Sequence, residues 1–210
     1  MLIVNLKTYE ESTGEKARKV AEECYRAGEE TDQKVVVAPQ PQDMLRIDNK
    51  QVYSQHMDRV EPGSHTGHLL GESIKQAGAS GTLINHSEKR VSKEEIGDII
   101  ERAEELGLTT IVCAHSPEEC EDFSKLNPDY VSYEPPELIG GDISVSKAKP
   151  ELIDEAVQRS EVPVLTGAGI KTTEDVEKSM ELGCDGVLVA SSIVKAENTF
   201  EQAKRLCEGL

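Results

Sequence analysis

Short apolar runs rich in β-branched residues alternate along this chain with longer, charged segments whose apolar positions recur at helical spacing. The runs are Leu2–Leu6, Lys34–Ala38, Gln51–Gln55, Gly81–Asn85, Thr109–Ala114, Asp129–Tyr133, Val162–Thr166 and Gly186–Ala190. Between them the pattern predicts helices over Thr13–Gly28, Ser92–Gly107, Ser116–Leu126, Lys149–Ser160, Thr172–Gly183 and Thr199–Leu210, with a shorter one at Leu70–Ala77. The link Pro39–Ile47 is too short and too proline-marked for a full helix. Punctuation agrees: Ser92 with Glu95 and Thr172 with Asp175 read as capping-box starts, and Gly28, Gly107 and Gly183 read as helix ends.

Eight strand-helix units of roughly 26 residues signal an α/β fold with a parallel sheet covered on both faces. They close most naturally into one (β/α)8 TIM barrel domain over residues 1–210, compact beside the usual ~250 residues, with shortened helices. An open doubly wound sheet is the alternative. It is weakened because Asn5-Leu6-Lys7-Thr8 follows the first run where a G-x-G-x-x-G turn would be needed.

Composition narrows the partners. Hydrophobic residues make up 37% and aromatics 3%, with no Trp, so Val, Ile, Leu and Ala must build the core. A net charge of -17 argues against nucleic acid or an anionic membrane as partner. The acidic residues are spread among Lys and Arg and read as a solvated surface, one explanation being a salty cytosol. Five widely spaced cysteines (Cys24, Cys113, Cys120, Cys184, Cys207) without C-x-x-C suit a reducing compartment. No signal peptide or membrane-length apolar run is visible, which makes a cytoplasmic location the expectation.

In a barrel, functional groups gather beyond the C-terminal ends of the strands. There the chain places Asn5 and Lys7, then Asn85-His86-Ser87-Glu88, then Glu134, then Gly167-Ala168-Gly169 and finally Ala190-Ser191-Ser192. The two small-residue loops suit an anion, and the second opens a short extra helix whose N-terminus favours negative charge. Glu134 is held at a strand end by Pro135 and Pro136 and precedes a proline-to-glycine segment that reads either as a lid or as an ordinary turn. Facing a bound phosphorylated molecule, Glu134 is a candidate general base. His86 and Lys7 could stabilise an oxygen turning negative and Asn5 could orient it, as proton abstraction beside a carbonyl requires. A helical turn over Ser87–Arg90 would favour a neutral His86 ring.

Asn5-Leu6-Lys7, Asn85-His86-Ser87-Glu88, Tyr133-Glu134-Pro135 and Ile139-Gly140-Gly141, in that order, resemble the triosephosphate isomerase family over essentially the whole chain. That family is itself the standard worked case of a carboxylate base with a neutral histidine under a closing loop. The Glu-Pro-Pro-Glu segment and short helices are similar to its compact archaeal branch. The resemblance implies that Glu134 shuttles a proton between two carbons, that His86 is the electrophile and that Lys7 and Asn5 polarise the substrate. It implies phosphate contacts from Ile139, Gly140, Gly167, Ala168, Gly169, Ala190 and Ser191. It also implies Glu88 behind Lys7 and Thr66 reaching a neighbour's Asn5 region in a homo-oligomer, dimer or tetramer. No cofactor is implied. Three departures stand out: Glu137 where much of the family has Trp, Asn85 for Gly, and Ala190-Ser191 for a Gly-Gly pair.

Other signals read as structural. His65 and His68, with His56 nearby, straddle a glycine in the loop that the resemblance places at an interface, and do not read as a metal site. His115 reads as a structural histidine and Cys113 as a small buried hydrophobe. A phosphosugar aldolase or lyase is a competing function, as is a barrel that binds phosphate ligands without catalysis. The first wants a charge-suppressed lysine inside a strand, which the later runs lack. The second is disfavoured by Glu134, His86 and Lys7 standing together.

Overall fold

The structure is a computed structural model and describes residues 1–48, 51–138 and 144–210. Eight parallel strands close on themselves in chain order: β1 (Leu2–Asn5), β2 (Val35–Ala38), β3 (Val52–Ser54), β4 (Ala79–Ile84), β5 (Thr109–Ala114), β6 (Tyr130–Tyr133), β7 (Val164–Gly167) and β8 (Gly186–Val189). The ring shuts where β1 pairs with β8, Leu2 opposite Val187 and Val4 opposite Val189. The chain therefore forms the (β/α)8 barrel, and the open sheet is excluded.

The outer layer comprises α1 (Glu15–Thr31), α2 (Gly71–Gln76), α3 (Lys93–Leu106), α4 (Pro117–Ser124), α5 (Val145–Ala148), α6 (Pro150–Arg159), α7 (Thr173–Glu181), α8 (Ser191–Val194) and α9 (Thr199–Glu208). After β2 only a 3-10 turn, Pro41–Arg46, connects the strands. Ser92 and Thr172 make full capping boxes, so α3 and α7 start where their sequences direct. Gly107 ends α3 in the left-handed conformation, φ 65°.

Gly28 does not end α1, which runs three residues further and closes on left-handed Asp32. Proximity explains the glycine: a Cβ there would stand 2.7 Å from both the Gln33 carbonyl and Val35 Cγ2. Gly28 lets α1 lie tight against the entry to β2 and is not a terminator.

Strand alternation divides the core in two. Ile3, Val36, Ala38, Tyr53, Leu83, Ile111, Leu165 and Leu188 fill the barrel interior. Leu2, Val4, Val35, Val37, Val112, Val131, Val164 and Val187 face the helices. Because side chains on a strand alternate, the interior positions continue upward to Asn5 above Ile3, Cys113 above Ile111 and Gly167 above Leu165. Ser132 and then Glu134 follow Tyr130 on β6 in the same way. The same periodicity that fills the barrel thus delivers polar groups to its C-terminal mouth.

All five cysteines are free and buried. Burial pushes the Cys113 thiol well above its ordinary value, with the neighbouring Glu134 carboxylate adding to it, so Cys113 is not a thiolate nucleophile. Among the described residues no helix is long and apolar enough to cross a membrane, and no group of three or more His, Cys, Asp or Glu could hold a metal ion.

Candidate active site

Lys7, two residues beyond β1, adopts a left-handed backbone with φ 46°. Such a conformation costs a non-glycine residue on the order of 1–2 kcal/mol and persists only where neighbours enforce it. Two side chains do so. Asn5 Oδ1 accepts the Lys7 N–H at 3.0 Å, and Gln55 Nε2 donates to the Lys7 carbonyl at 3.0 Å and to that of Ala38 at 2.9 Å. The Lys7 ammonium then lies 3.0 Å from Glu88 Oε1.

His86 follows Asn85, whose φ of 63° turns the chain sharply off β4. Asn suits that conformation better than most residues, and its side chain is used twice. Asn85 Nδ2 donates to the Cys113 carbonyl and Oδ1 accepts the Val91 N–H, both at 3.0 Å. Through the Cys113 carbonyl this residue ties the end of β4 to the end of β5. Ser87–Arg90 forms a single turn, not a helix, closed by the Lys89 N–H on the His86 carbonyl. The Glu88 N–H donates to His86 Nδ1 at 3.1 Å. A ring nitrogen that accepts carries no proton, which leaves the proton of a neutral ring on Nε2.

Nε2 faces Glu134 Oε2 at 3.6 Å. Both residues are buried, His86 at 6% and Glu134 at 3% exposure. Glu134 continues the β6 hydrogen bonding, its N–H donating to the Ala114 carbonyl at 2.8 Å, before Pro135 ends the run. Its Oε1 is buried without a hydrogen-bond partner. An unpartnered buried acceptor is costly in a resting protein and is a mark of a working site.

These groups share one cavity of about 270 Å³, lined by Lys7, His86, Glu88 and Glu134 on one part and by Ala168, Gly169, Ala190 and Ser191 on another. Ala168 (φ 90°) and Gly169 (φ 70°) are successive left-handed residues after β7. At α8 the bonding starts with the Ile193 and Val194 N–H groups on the Ala190 carbonyl, so the Ser191 and Ser192 amides precede the helical ladder. The cavity therefore has a region of ionisable side chains and a region of small residues and backbone donors.

Asn5 and Gly167 do not line it. Asn5, 3% exposed, stands beneath Lys7. Gly167 lies against the base: a Cβ there would fall 2.7 Å from Glu134 Cγ and 3.0 Å from Cδ. Thr66 is exposed on the 61–68 segment and does not line the cavity. Ile139 and Gly140 lie outside the described residues. Lining residues absent from the sequence reading include Tyr9 and Lys171, whereas Ser192 was among the rim residues expected there. Gln55 was missed too, although a polar residue ending an apolar run was the available signal. His115 does not line the cavity; burial first, and Arg90 next, lower its ring below the ordinary value.

The model of the triosephosphate isomerase family matches residues 1–206. Curated relatives agree in name and length. The triosephosphate isomerase of Methanocaldococcus jannaschii is 44% identical over 98% of this chain and 98% of its own. That of Methanobacterium bryantii is 47% identical over 94% and 91%, and that of Methanosarcina barkeri 45% over 93% and 91%. With its closed barrel and the continuous match along it, the chain belongs to the triosephosphate isomerase family.

Proposed function

We infer that this chain interconverts glyceraldehyde 3-phosphate and dihydroxyacetone phosphate by proton transfer through an enediolate, a step of glycolysis and gluconeogenesis. The observation that carries the chemistry is the buried Glu134–His86 pair in the cavity wall, with Nε2 and Oε2 3.6 Å apart. In this reading Glu134 removes the proton from the carbon beside the carbonyl. The carbonyl oxygen gains the charge and is met by the His86 Nε2–H and the Lys7 ammonium. Glu134 then returns the proton to the former carbonyl carbon, while the hydroxyl proton passes from its own oxygen to the former carbonyl oxygen by way of the His86 Nε2 position, so nothing is consumed and no cofactor is required.

The phosphate is assigned to the amides around Gly169, Ala190 and Ser191. Gly140 and Ile139 would complete the cradle, and Gly167 and Ala168 shape the loop. Asn5 and Glu88 act through Lys7, one on its backbone and one on its ammonium. The 210 residues work as one barrel unit in the cytoplasm.

We also infer a homo-oligomer in which Thr66 reaches a second copy near its Asn5. The supporting feature is a latched loop. Asp58 accepts the Leu69 N–H at 2.6 Å and donates its own N–H to the Leu69 carbonyl at 3.0 Å, which pins the stem of the exposed 61–68 segment. An open groove of about 610 Å³ bounded by Asn5, Lys7, Gln55 and His56 offers a matching recess.

A coupled assay with glyceraldehyde 3-phosphate tests the activity, and sedimentation at several concentrations tests the assembly. Turnover with the expected product supports the reading. Borohydride trapping of a lysine adduct, or phosphate binding without turnover, would support a competing function instead.

A further inference from the structure

We propose that Tyr9 is a specificity-determining residue of this site, its ring forming the wall that confines the cavity to short phosphorylated chains. The inference rests on the isomerase reading above and names the feature that sets the length of its substrate. Two spaces meet at this residue. One is the cavity of about 270 Å³ that holds His86, Glu134 and Gly169, and the other is the open groove of about 610 Å³ that runs past Gln55 and His56. Among the described residues, Lys7, Tyr9, His86 and Glu88 line both. Lys7, Glu88 and His86 are joined to one another, Lys7 Nζ to Glu88 Oε1 and the Glu88 N–H to His86 Nδ1. Tyr9 adds an aromatic ring to this boundary without taking part in that chain of contacts.

A contact across the barrel seam places the ring. Lys195 Nζ stands 4.6 Å from its centroid, within cation–π range. Lys195 directly follows α8, and Ala190, Ser191 and Ser192 at the start of α8 line the cavity. The ring therefore reaches from the loop after β1 to the end of α8. It is half-buried and packs against the apolar layer between barrel and helices. Its main chain is pinned as well. The Tyr9 carbonyl accepts the Ser12 N–H at 3.1 Å and Thr13 Oγ1 at 2.8 Å, while Ser12 Oγ donates to the Leu6 carbonyl at 2.8 Å. A ring with only two side-chain torsions on a fixed main chain makes a stiff wall.

Size gives the reason. Small-molecule pockets ordinarily enclose ~300–1,000 Å³, so a cavity of about 270 Å³ suits a ligand of few heavy atoms. The adjoining groove is more than twice as large, and a longer sugar phosphate would gain room there if the wall were absent. In the isomerase reading both ends of the ligand are anchored, the reacting carbons at Glu134 and the phosphate around Gly169 and Ser191. An extra carbon between fixed ends must bulge against a wall, and on the groove side the bulky side chain is the Tyr9 ring. Packed groups resist such intrusion, because accommodating added volume forces side chains off their preferred rotamers.

The test measures chain-length preference in wild type, Tyr9→Phe, Tyr9→Leu and Tyr9→Ala. Turnover of glyceraldehyde 3-phosphate is compared with that of erythrose 4-phosphate, one carbon longer. Equilibrium titration compares 3-phosphoglycerate with 4-phosphoerythronate and needs no turnover. We expect wild type to favour the three-carbon member of each pair by about tenfold or more, the scale on which one extra carbon is discriminated. Tyr9→Phe keeps the ring and should keep the preference, whereas Tyr9→Leu should erode it and Tyr9→Ala bring it within a few-fold of parity. The comparison holds whether or not a second copy fills the groove, because the ring's own volume is what Tyr9→Ala returns to the cavity. A preference absent in wild type, or unchanged in both Tyr9→Leu and Tyr9→Ala, overturns the proposal. So does an equal loss on both members of a pair, since a merely structural role moves both alike. Loss of the preference in Tyr9→Phe overturns it too, by assigning the effect to the hydroxyl. A wild-type chain that turns over neither aldose phosphate would instead sink the isomerase reading, and the titrations would still judge Tyr9.

Discussion

Gly167 and Glu134 are in contact across the top of the barrel, the absent side chain of one making room for the carboxylate of the other. A Cβ at residue 167 would lie 2.7 Å from Glu134 Cγ and 3.1 Å from the Leu188 carbonyl. Neither neighbour can yield freely, because Leu188 is strand backbone and Glu134 is enclosed. Gly167→Ala is therefore expected to displace the base. Turnover should fall by about 10²-fold, as a misplacement near 1 Å costs, against a stability loss of about 1–3 kcal/mol from overpacking. Steady-state kinetics and thermal unfolding on the same variant check the split.

Much of this was legible in the sequence, for physical reasons. Strand periodicity and capping residues are local, so Ser92, Thr172 and the eight apolar runs announced their elements. Gly28 misled because a glycine needed for close packing looks the same in sequence as one needed for a left-handed turn. The site was legible where a residue type is uncommon at a strand end, as with Glu134 and His86. It was not legible where the requirement is spatial. The Gln55 amide on the Lys7 carbonyl spans 48 positions, and Gly167 reads as part of an anion loop until Glu134 is seen against it.

Glu88 is 61% exposed and Lys7 11%. Solvent screens such a pair, and its worth to folding is about 1 kcal/mol or less. Glu88→Gln should leave the unfolding midpoint nearly unchanged yet lower kcat/KM severalfold, because the Lys7 ammonium loses its tether. The Glu88 N–H on His86 Nδ1 is main chain and survives the change. An equal loss in Glu88→Gln and Lys7→Met would show that the tether is all that Lys7's function depends on.

Asn85 combines a left-handed φ with two side-chain hydrogen bonds. Asn85→Ala removes both bonds and keeps the conformational strain, for an expected loss of about 2–4 kcal/mol. Asn85→Gly relieves the strain and should recover part of it. Chemical denaturation of the two variants measures the difference.

His56 provides a pH signature. Burial lowers its ring below the ordinary value, and the Asp58 carboxylate at 3.2 Å only partly offsets this; Lys89 adds to the lowering and Glu95 opposes it. The unfolded chain then takes up the proton first, so the contribution is intact above about pH 6.5 and declines as pH falls below it. His56→Gln should flatten the pH dependence of stability below about pH 6.5, by at most about 1.4 kcal/mol per pH unit. Unfolding midpoints across that range, compared with wild type, read it directly.

The central claim is that Glu134 is the base that moves the proton, and the most direct measurement is turnover of glyceraldehyde 3-phosphate by wild type and Glu134→Asp in the same coupled assay. Retracting the carboxylate by one methylene should reduce kcat by at least about 10²-fold while inorganic phosphate still inhibits at its wild-type concentration. Wild-type turnover in Glu134→Asp would contradict the account.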